Sequence, residues 1–382
     1  MSATSAHHPP AYPLYLGLAS KLGYDSVEGM RLASSLLGAG VIVAVGFVGL
    51  TVGGRAVGLV AAAIASVYPA FWINDISLMS EPMATLAACL CILASFNLWR
   101  RRSVPSAVLL GLAGGFAGLC RSEGPFIVAV SAVALLLGMI GVAWPHRVKL
   151  LAVTGVVGLL VMAPWLIRNR GAFEHPVGLT STSGQSLFLT NGPDTYYGQN
   201  LGSKSGYIAL NARSSQMFRK DQSVIDQQLR KDVTPFIHAN LGRLPVVVLA
   251  RFGREWNIYR PFDGAANDAL VERRGRAPSL VGLWFYWALL PFAIAGGFIL
   301  FRRRVVLSPL LSVVAAAMIA GMANFGATRY RAGAEVTLVV LASVALTVVG
   351  RPAGRRVQRE LRAVARRLRP SSTAPVAAPT AP

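Results

Sequence analysis

The sequence predicts an all-α polytopic membrane protein, and three observations carry that reading. Apolar runs near 18–20 residues recur along the chain, each long enough to cross a bilayer as a helix. Charged residues make up 14% of the chain against 54% hydrophobic, with mean hydropathy +0.52; an ordinary soluble domain is about 25% charged. Runs such as VGLVAAAIASV do not alternate, so they are not barrel strands. Backbone groups in hydrocarbon must then bond within their own segment, as in a helix.

Nine such runs fall at about 32–52, 56–73, 80–99, 105–120, 125–143, 149–167, 280–301, 308–325 and 333–350. They divide the chain into an entry segment (1–30), a bundle of six spans (31–167), a loop domain (168–279), a bundle of three spans (280–350), a basic amphipathic helix (351–370) and a disordered tail (371–382).

The net charge is +21, and its distribution sets orientation rather than pointing to nucleic acid. One set of short loops, with Arg55, Arg100–Arg102, Arg147, Lys149, Arg302–Arg304 and the C-terminal segment, carries about +16. The opposite set carries about −1, and the long loop about +6. The positive-inside rule places the first set and the C-terminus in the cytoplasm and the long loop outside. Multi-pass insertion in the cell membrane follows. The N-terminus then lies outside, although residues 1–25 lack the basic and apolar regions of a signal peptide. Either the first span inserts with its N-terminus outside, helped by basic residues on its far side, or a preceding span is expected that this sequence does not include; the pattern favours the second.

Taken in order, Pro9, Pro10 and Pro13 extend the entry, and Tyr12–Leu22 reads as a short interfacial helix. Gly53–Arg55 is a tight inner turn. The outer loop Tyr68–Pro82 carries Asp75 and Glu81 among aromatic residues; Glu81-Pro82 opens the third span, where a carboxylate also suits the positive end of the helix. Gly111/Gly115 and Gly114/Gly118 spacing favours close helix approach. Arg121-Ser122-Glu123-Gly124 forms an outer turn. Gly178–Ser205 reads as turns and irregular pieces, and Asp221–Gly242 as helical. Leu244–Trp256, apolar but holding Arg251 and Arg254, is expected along the interface rather than as a tenth span. Asn324–Glu335 is the last outer loop, with Arg329-Tyr330-Arg331 at its centre. Val357, Leu361, Val364 and Leu368 form the apolar stripe of the Arg-rich C-terminal helix, suited to an anionic leaflet. Cys89, Cys91 and Cys120 lie within or at the ends of spans and form no disulfide framework. No Cys/His spacing suggests a metal site.

His7, His8, Asp75, Glu81, Arg121, Glu123, Arg168, Arg329 and Arg331 all fall near one outer depth, with Tyr330 between the last two. Arginines there suit a phosphate in the headgroup region, and a neighbouring carboxylate suits deprotonation of an acceptor hydroxyl. That is the chemistry of glycosyl transfer from a polyprenyl-phosphate sugar, with cations stabilising the leaving phosphate. Snorkelling arginines and a helix-capping carboxylate are the bland alternatives.

The HPPAYPLYL entry at His8–Leu16, LMSEPMATL at the third span, RSEG at Arg121–Gly124, PWLIRN at Pro164–Asn169 with the following LTSTSGQSLFLTNGP, and the RYR loop resemble the GT-C superfamily of integral-membrane glycosyltransferases. The likeness covers about residues 7–350 and is nearest to family 39 and the aminoarabinose-transferase-like group, which includes protein O-mannosyltransferases. It implies a GT-C-type bundle, a polyprenyl-phosphate-linked sugar as donor, an acceptor of unspecified kind, and inversion at the anomeric centre on the outer face. Carried over, His8, Arg121, Arg329 and Arg331 bind the donor phosphate, and Glu81 is the acidic residue after the group's second span; from the residues themselves, Glu123 and Tyr330 are the further candidates for substrate binding, and Glu81 and Asp75 the candidate catalytic carboxylates. The group also has a first span and an acidic outer loop ahead of its HPP-like motif, which MSATSAH does not supply. A lipid-linked-sugar transporter, or a degenerate member that only binds, is the competing class. The spans show neither the internal repeats nor the midplane charges of a transporter.

Overall fold

The computed structural model describes residues 5–205, 221–270, 272 and 274–367. The described residues form helices and turns with no strand among them. The expected tail at 371–382 lies outside them.

The entry helix α1 (Ala11–Lys21) is fastened to α2 (Val27–Gly53) by its tyrosines. The Tyr12 hydroxyl and Ser34 Oγ are 2.5 Å apart, and the Tyr15 hydroxyl donates to the Ala33 carbonyl at 2.6 Å. Ser26 caps α2 by accepting from the Gly29 amide, with Glu28 in the first turn, the arrangement that satisfies free amides at a helix start. Gly54, at φ 83°, makes the inner turn into α3 (Arg55–Val67). That helix bends by 48° at Tyr68 into α4 (Pro69–Ile76), where Pro69 cannot continue the ladder. Then follow α5 (Glu81–Arg101), α6 (Val104–Cys120), α7 (Gly124–Gly138) and α8 (Trp144–Ala172).

The outer segment is helical where it is ordered into elements: α9 (Ser183–Thr190), α10 (Pro193–Tyr196), α11 (Gln222–Ala239), α12 (Leu244–Glu255) and α13 (Pro261–Leu270). The chain re-enters the bundle as α14 (Arg276–Arg302), α15 (Ser308–Ala323) and α16 (Ala332–Arg367). The basic stretch that sequence sets apart as a separate helix continues α16 through Arg367.

Each of the nine expected runs folds as a helix or a bent pair. Five helices are long and apolar enough to cross a membrane, and up to seven segments qualify when each bent pair counts as one: Arg55–Val67 with Pro69–Ile76, and, in the outer segment and not among the nine runs, Gln222–Ala239 with Leu241–Glu255. The helices α6, α7 and α15 are apolar but shorter, at 17, 15 and 16 residues. The arrangement is therefore that of a polytopic membrane protein.

Burial ranks the helices by position. The apolar window at the start of α16 is 72% buried and that of α5 is 61%, whereas α8 reaches only 22%. Thus α16 and α5 are central pillars, while α8 turns Val156, Leu159 and Leu160 outward, as lipid-facing residues do. The main core gathers Val41, Val45 and Val48 of α2, Ile92 and Phe96 of α5, and Val336, Val339 and Val340 of α16. With apolar side chains available on both the lipid and the protein side, close packing decides helix contacts. The glycines expected to do this in α6 do so: a Cβ on Gly111 or Gly115 would lie 2.7 Å or 2.8 Å from the Thr154 or Gly158 carbonyl of α8.

The tightest approach is between α14 and α16, where a Cβ on Gly296 would lie 1.8 Å from the Leu341 carbonyl oxygen. Gly296→Ala is expected to lower the melting temperature of the purified protein, at a cost of about 1–3 kcal/mol of overpacking. Gly155→Ala in α8, with nothing within 4 Å of the added carbon, is the control and should leave the melt unchanged. Equal behaviour of the two variants would contradict the α14–α16 contact.

Candidate active site

Three chain segments meet where α5 begins. Glu81 is the first residue of that helix, and its side chain is completely buried. The N-cap residue, Ser80, makes no side-chain cap bond. Arg121, in the turn between α6 and α7, donates from Nη1 to Glu81 Oε1 at 2.7 Å. Arg329 brings Nε to 2.9 Å from the same oxygen. The other oxygen, Oε2, is buried with no hydrogen-bond partner. A buried carboxylate is tolerated because two guanidinium groups face it.

Each arginine is itself held on its far side. Arg121 donates from Nε to Glu123, and its guanidinium lies 5.6 Å from the centre of the Tyr330 ring. Arg329 donates from Nη1 to Glu272 Oε2 at 3.1 Å, and Lys204 donates to Glu272 Oε1 at 3.2 Å. Burial alone would raise the Glu272 carboxyl, but Arg329, Lys204 and Arg274 hold it below its ordinary value. His8 reaches the same cluster from the entry segment. Its pKa is pushed down to about 4, first by loss of surrounding solvent and then by His7, Arg329 and Arg121, so the ring is neutral at physiological pH. The entry is pinned in turn by the outer segment: Ser181 donates its amide to the Ala6 carbonyl at 2.9 Å, and Thr180 Oγ1 donates to the His7 carbonyl at 2.9 Å.

Of the residues singled out by sequence, His8, Glu81, Arg121, Glu123, Arg329 and Tyr330 come together. Arg331 and Asp75 stand apart from them. The loop holding Arg329-Tyr330-Arg331 is a 3₁₀ turn, Thr328–Arg331. Three residues per turn send consecutive side chains in three different directions. Arg329 faces Glu81, Tyr330 packs on Phe325, and Arg331 turns into the bundle. There it donates from Nε to Glu335 Oε1 at 2.5 Å and from Nη1 to the Glu255 carbonyl at 2.9 Å, with its guanidinium 3.7 Å from the Tyr286 ring centre. Tyr68 donates to the second Glu335 oxygen at 2.7 Å. The donors of Arg331 are thus engaged by protein.

Asp75 projects from α4 against α2, where a Cβ on Gly38 would lie 2.0 Å from Asp75 Oδ2. Among the described residues it has no hydrogen-bond or ion-pair partner. Tyr12 is within electrostatic reach of both Asp75 and Glu81.

Sequence reasoning passed over Lys204, Asp268, Glu272 and Arg274, which the outer segment brings to the cluster. The available signal was the charged run DALVERRGR before α14. It also expected Leu244–Trp256 along the interface. There α12 turns by 75° from α11 and buries both of its arginines in protein. Arg251 donates to the Thr190 and Met322 carbonyls at 2.8 and 3.1 Å, and Arg254 to the Leu201 and Gln199 carbonyls at 2.6 and 3.0 Å.

Beneath the cluster lies a narrow groove. Ala84 of α5, Ala117 of α6, Ala316 and Ala317 of α15 and Gly333 and Ala334 of α16 line it, and Arg121, Glu123, Arg329 and Tyr330 stand at its head. It is apolar along its length and charged at one end.

This architecture recurs in known proteins. The crystal structure of the Archaeoglobus fulgidus oligosaccharyltransferase in the apo form superposes with TM-score 0.54 at 14% identity, over 94% of this chain and 45% of that one. The archaeal oligosaccharyltransferase AglB from the same organism, in complex with an inhibitory peptide and a dolichol-phosphate, gives TM-score 0.54 at 16% identity, over 97% and 45%. The chain shares its fold with these oligosaccharyltransferase structures. It spans less than half the length of these structures. Residues 7–167 also match the family described as dolichyl-phosphate-mannose-protein mannosyltransferase. No curated protein matches the chain.

The different settings of the two arginines predict different phenotypes. Arg331→Met leaves Glu335 buried opposite Tyr68 without its cation, and loss of one partner from a buried pair costs about 3–5 kcal/mol. Thermal unfolding in detergent should show that loss, and Arg331→Met combined with Glu335→Leu should recover much of it. A single variant as stable as the parent would contradict the buried pair.

Proposed function

We propose that the protein is a membrane glycosyltransferase that moves a sugar from a polyprenyl-phosphate donor to an acceptor on the extracytoplasmic face. The observation that carries this reading is the groove just described. It pairs an apolar lining with a charged head, as a lipid with a single anionic end requires: the phosphate meets Arg121 and Arg329, and the apolar chain leaves along α7, α15 and α16. The fold it shares with oligosaccharyltransferases, and the dolichol-phosphate bound in one of them, support the same donor class. We further propose that nine segments cross the membrane, with the long loop outside and the C-terminus inside, following the +16 against −1 division of the short loops.

The chemistry divides between the two carboxylates. Glu81 is held by two arginines and positions them; it is a poor proton acceptor while so paired. Asp75 has no cation beside it and is the general base. It takes the proton from the acceptor hydroxyl as that oxygen attacks the anomeric carbon. The carbon–oxygen bond to phosphate breaks, and its electron pair leaves with the phosphate. Arg121 and Arg329 neutralise the charge that develops there, the usual role of preorganised cations in group transfer. His8, neutral, offers a hydrogen bond to the same phosphate.

In nanodiscs, the full chain is expected to bind undecaprenyl phosphate, and Arg121→Ala or Arg329→Ala to weaken binding by roughly ten- to a hundredfold, since a charge-assisted bond contributes about 1.5–3 kcal/mol. Asp75→Asn should leave that binding within about twofold yet stop release of polyprenyl phosphate from a lipid-phosphate hexose in the presence of membrane acceptors. Unchanged binding in both arginine variants removes the donor reading, and binding without any release leaves a protein that only holds the lipid. For orientation, Gln199 and Arg303 are both exposed and the native cysteines are buried. An impermeant thiol reagent applied outside cells should modify Gln199→Cys and spare Arg303→Cys; the opposite pattern inverts the topology.

A further inference from the structure

One helix of the outer segment is built the wrong way round for water. In α12 the charged residues face protein: Arg251 and Arg254 are each 3% exposed, and Glu255 is fully buried. Glu255 rests on α15, where a Cβ on Gly321 would lie 2.3 Å from its Oε2. At 3.6 residues per turn, Pro245, Val246, Leu249 and Phe252 fall on the opposite side. Leu249 is 69% exposed and Val246 40%, and Leu241, in the turn ahead of α12, continues the outward apolar face. No charged side chain shares that face, since the three that α12 carries are the buried ones.

A single exposed leucine needs no explanation. A helix with its apolar side out and its charges turned into protein is different. A surface helix in water shows the reverse pattern, whereas ionisable residues at membrane depth face the protein interior.

The surroundings of α12 say what covers its outward face. The helix docks at the outer end of α15, where Arg251 Nη1 donates to the Met322 carbonyl at 3.1 Å. With 16 residues, α15 is about 24 Å long, short of the roughly 30 Å of a hydrocarbon core. Apolar depth therefore remains beyond its last turn, where α12 lies. Leu311 and Ile319 of α15 are already turned outward, so α12 extends a helix that faces lipid. Downstream, Phe262 of α13 packs on Trp284 and Trp287 of α14, with ring centres 6.4 and 6.1 Å apart. Aromatic groups of this kind mark the membrane–water boundary. The 12 residues of α12 cover only about 18 Å, and the 75° turn from α11 rules out a straight crossing by the pair.

We infer that α12 is a re-entrant helix, seated in the leaflet on the side of the long loop, with its Val246 and Leu249 face against lipid acyl chains. The inference rests on α15 spanning the bilayer and is independent of the donor. It gives the outer segment a fixed footing in the membrane. Arg331 Nη1 donates to the Glu255 carbonyl at 2.9 Å, so the last residue of α12 ties that footing to the 3₁₀ turn of the candidate site.

The test places an environment-sensitive fluorophore on Leu249→Cys, on Val246→Cys, and on Lys231→Cys of α11 as the water-facing control. All three positions are exposed and the native cysteines are buried, so labelling leaves the packing intact. The full chain is studied in phosphatidylcholine–phosphatidylglycerol nanodiscs. The probe at Leu249 and Val246 should emit to the blue of the probe at Lys231. Lipids carrying a nitroxide on the acyl chain should quench it more strongly there, and aqueous iodide less. Iodide quenching at Leu249 equal to that at Lys231 overturns the inference, because the face is then in water. Shielding of Leu249 from both quenchers also overturns it, because another protein or a second copy of this chain then covers the face. Equal acyl-chain quenching at Leu249 and Lys231 does so too, since α12 is then no nearer to lipid than the polar side of α11. Loss of polyprenyl-phosphate binding has no bearing on these readings, which keeps the inference separate from the proposed function.

Discussion

The Glu81 carboxylate between Arg121 and Arg329 is the contact on which the outer end of the bundle depends. A carboxylate with no exposure is sustained only by partners that stay in place. Those partners come from the turn between α6 and α7 and from the 3₁₀ turn ahead of α16. Three separate parts of the chain are therefore fixed to one another at a single oxygen atom. Glu123 and Glu272 then hold the far sides of the arginines, so each guanidinium has a set orientation before any ligand arrives. Cations whose positions are already fixed need little rearrangement when negative charge develops beside them.

That arrangement needs a scaffold that does not shift, and the central position of α16 supplies it. The helix is clasped by α14 at Gly296, packs on α3 and α5, and carries both arginines of the 3₁₀ turn at its head. The two arginines divide the work. Arg331 faces down into Glu335, Tyr68 and Tyr286 and anchors the turn to the bundle, while Arg329 is left at the junction of two cavities. The outer segment is held by a different device: Arg251 and Arg254 bond backbone carbonyls at a helix end and in a loop rather than acids. Backbone carbonyls in loops would otherwise be buried without donors, so these arginines make an irregular layer compatible with a closed site.

The fold was legible because a membrane leaves few options. Apolar runs of spanning length must be helices, and every run read from sequence is one, including the glycine pairs of α6 that meet α8. The outer ends of the helices were legible as well, which is why Glu81, Arg121, Glu123, Arg329 and Tyr330 were named together. Azimuth was not legible. Depth along a span follows from counting residues, but Arg329 and Arg331 share a depth and face different partners because a 3₁₀ turn separates them by rotation. Hydropathy carries no information on that rotation in a four-residue turn.

Lys204, Asp268, Glu272 and Arg274 escaped for a second reason. They sit in the outer segment, where no period marks a face and where charge is the ordinary state of a solvated loop. What identifies them is tertiary: Glu272 joins Arg329 to Lys204, and Arg274 keeps two buried nitrogens without partners. The difference between these two groups is informative. A charge that is buried and paired reports on how the protein holds itself together, as with Arg331 and Glu335. Hydrogen-bonding groups that are buried and unpaired are rare in native structures, and here they line one wall of a cavity beside the cation cluster. Arg274 lies in the field of Asp268 and Glu272 yet leaves two buried nitrogens without a hydrogen bond, so nearness to an acid and a made hydrogen bond are separate facts, and only the structure distinguishes them.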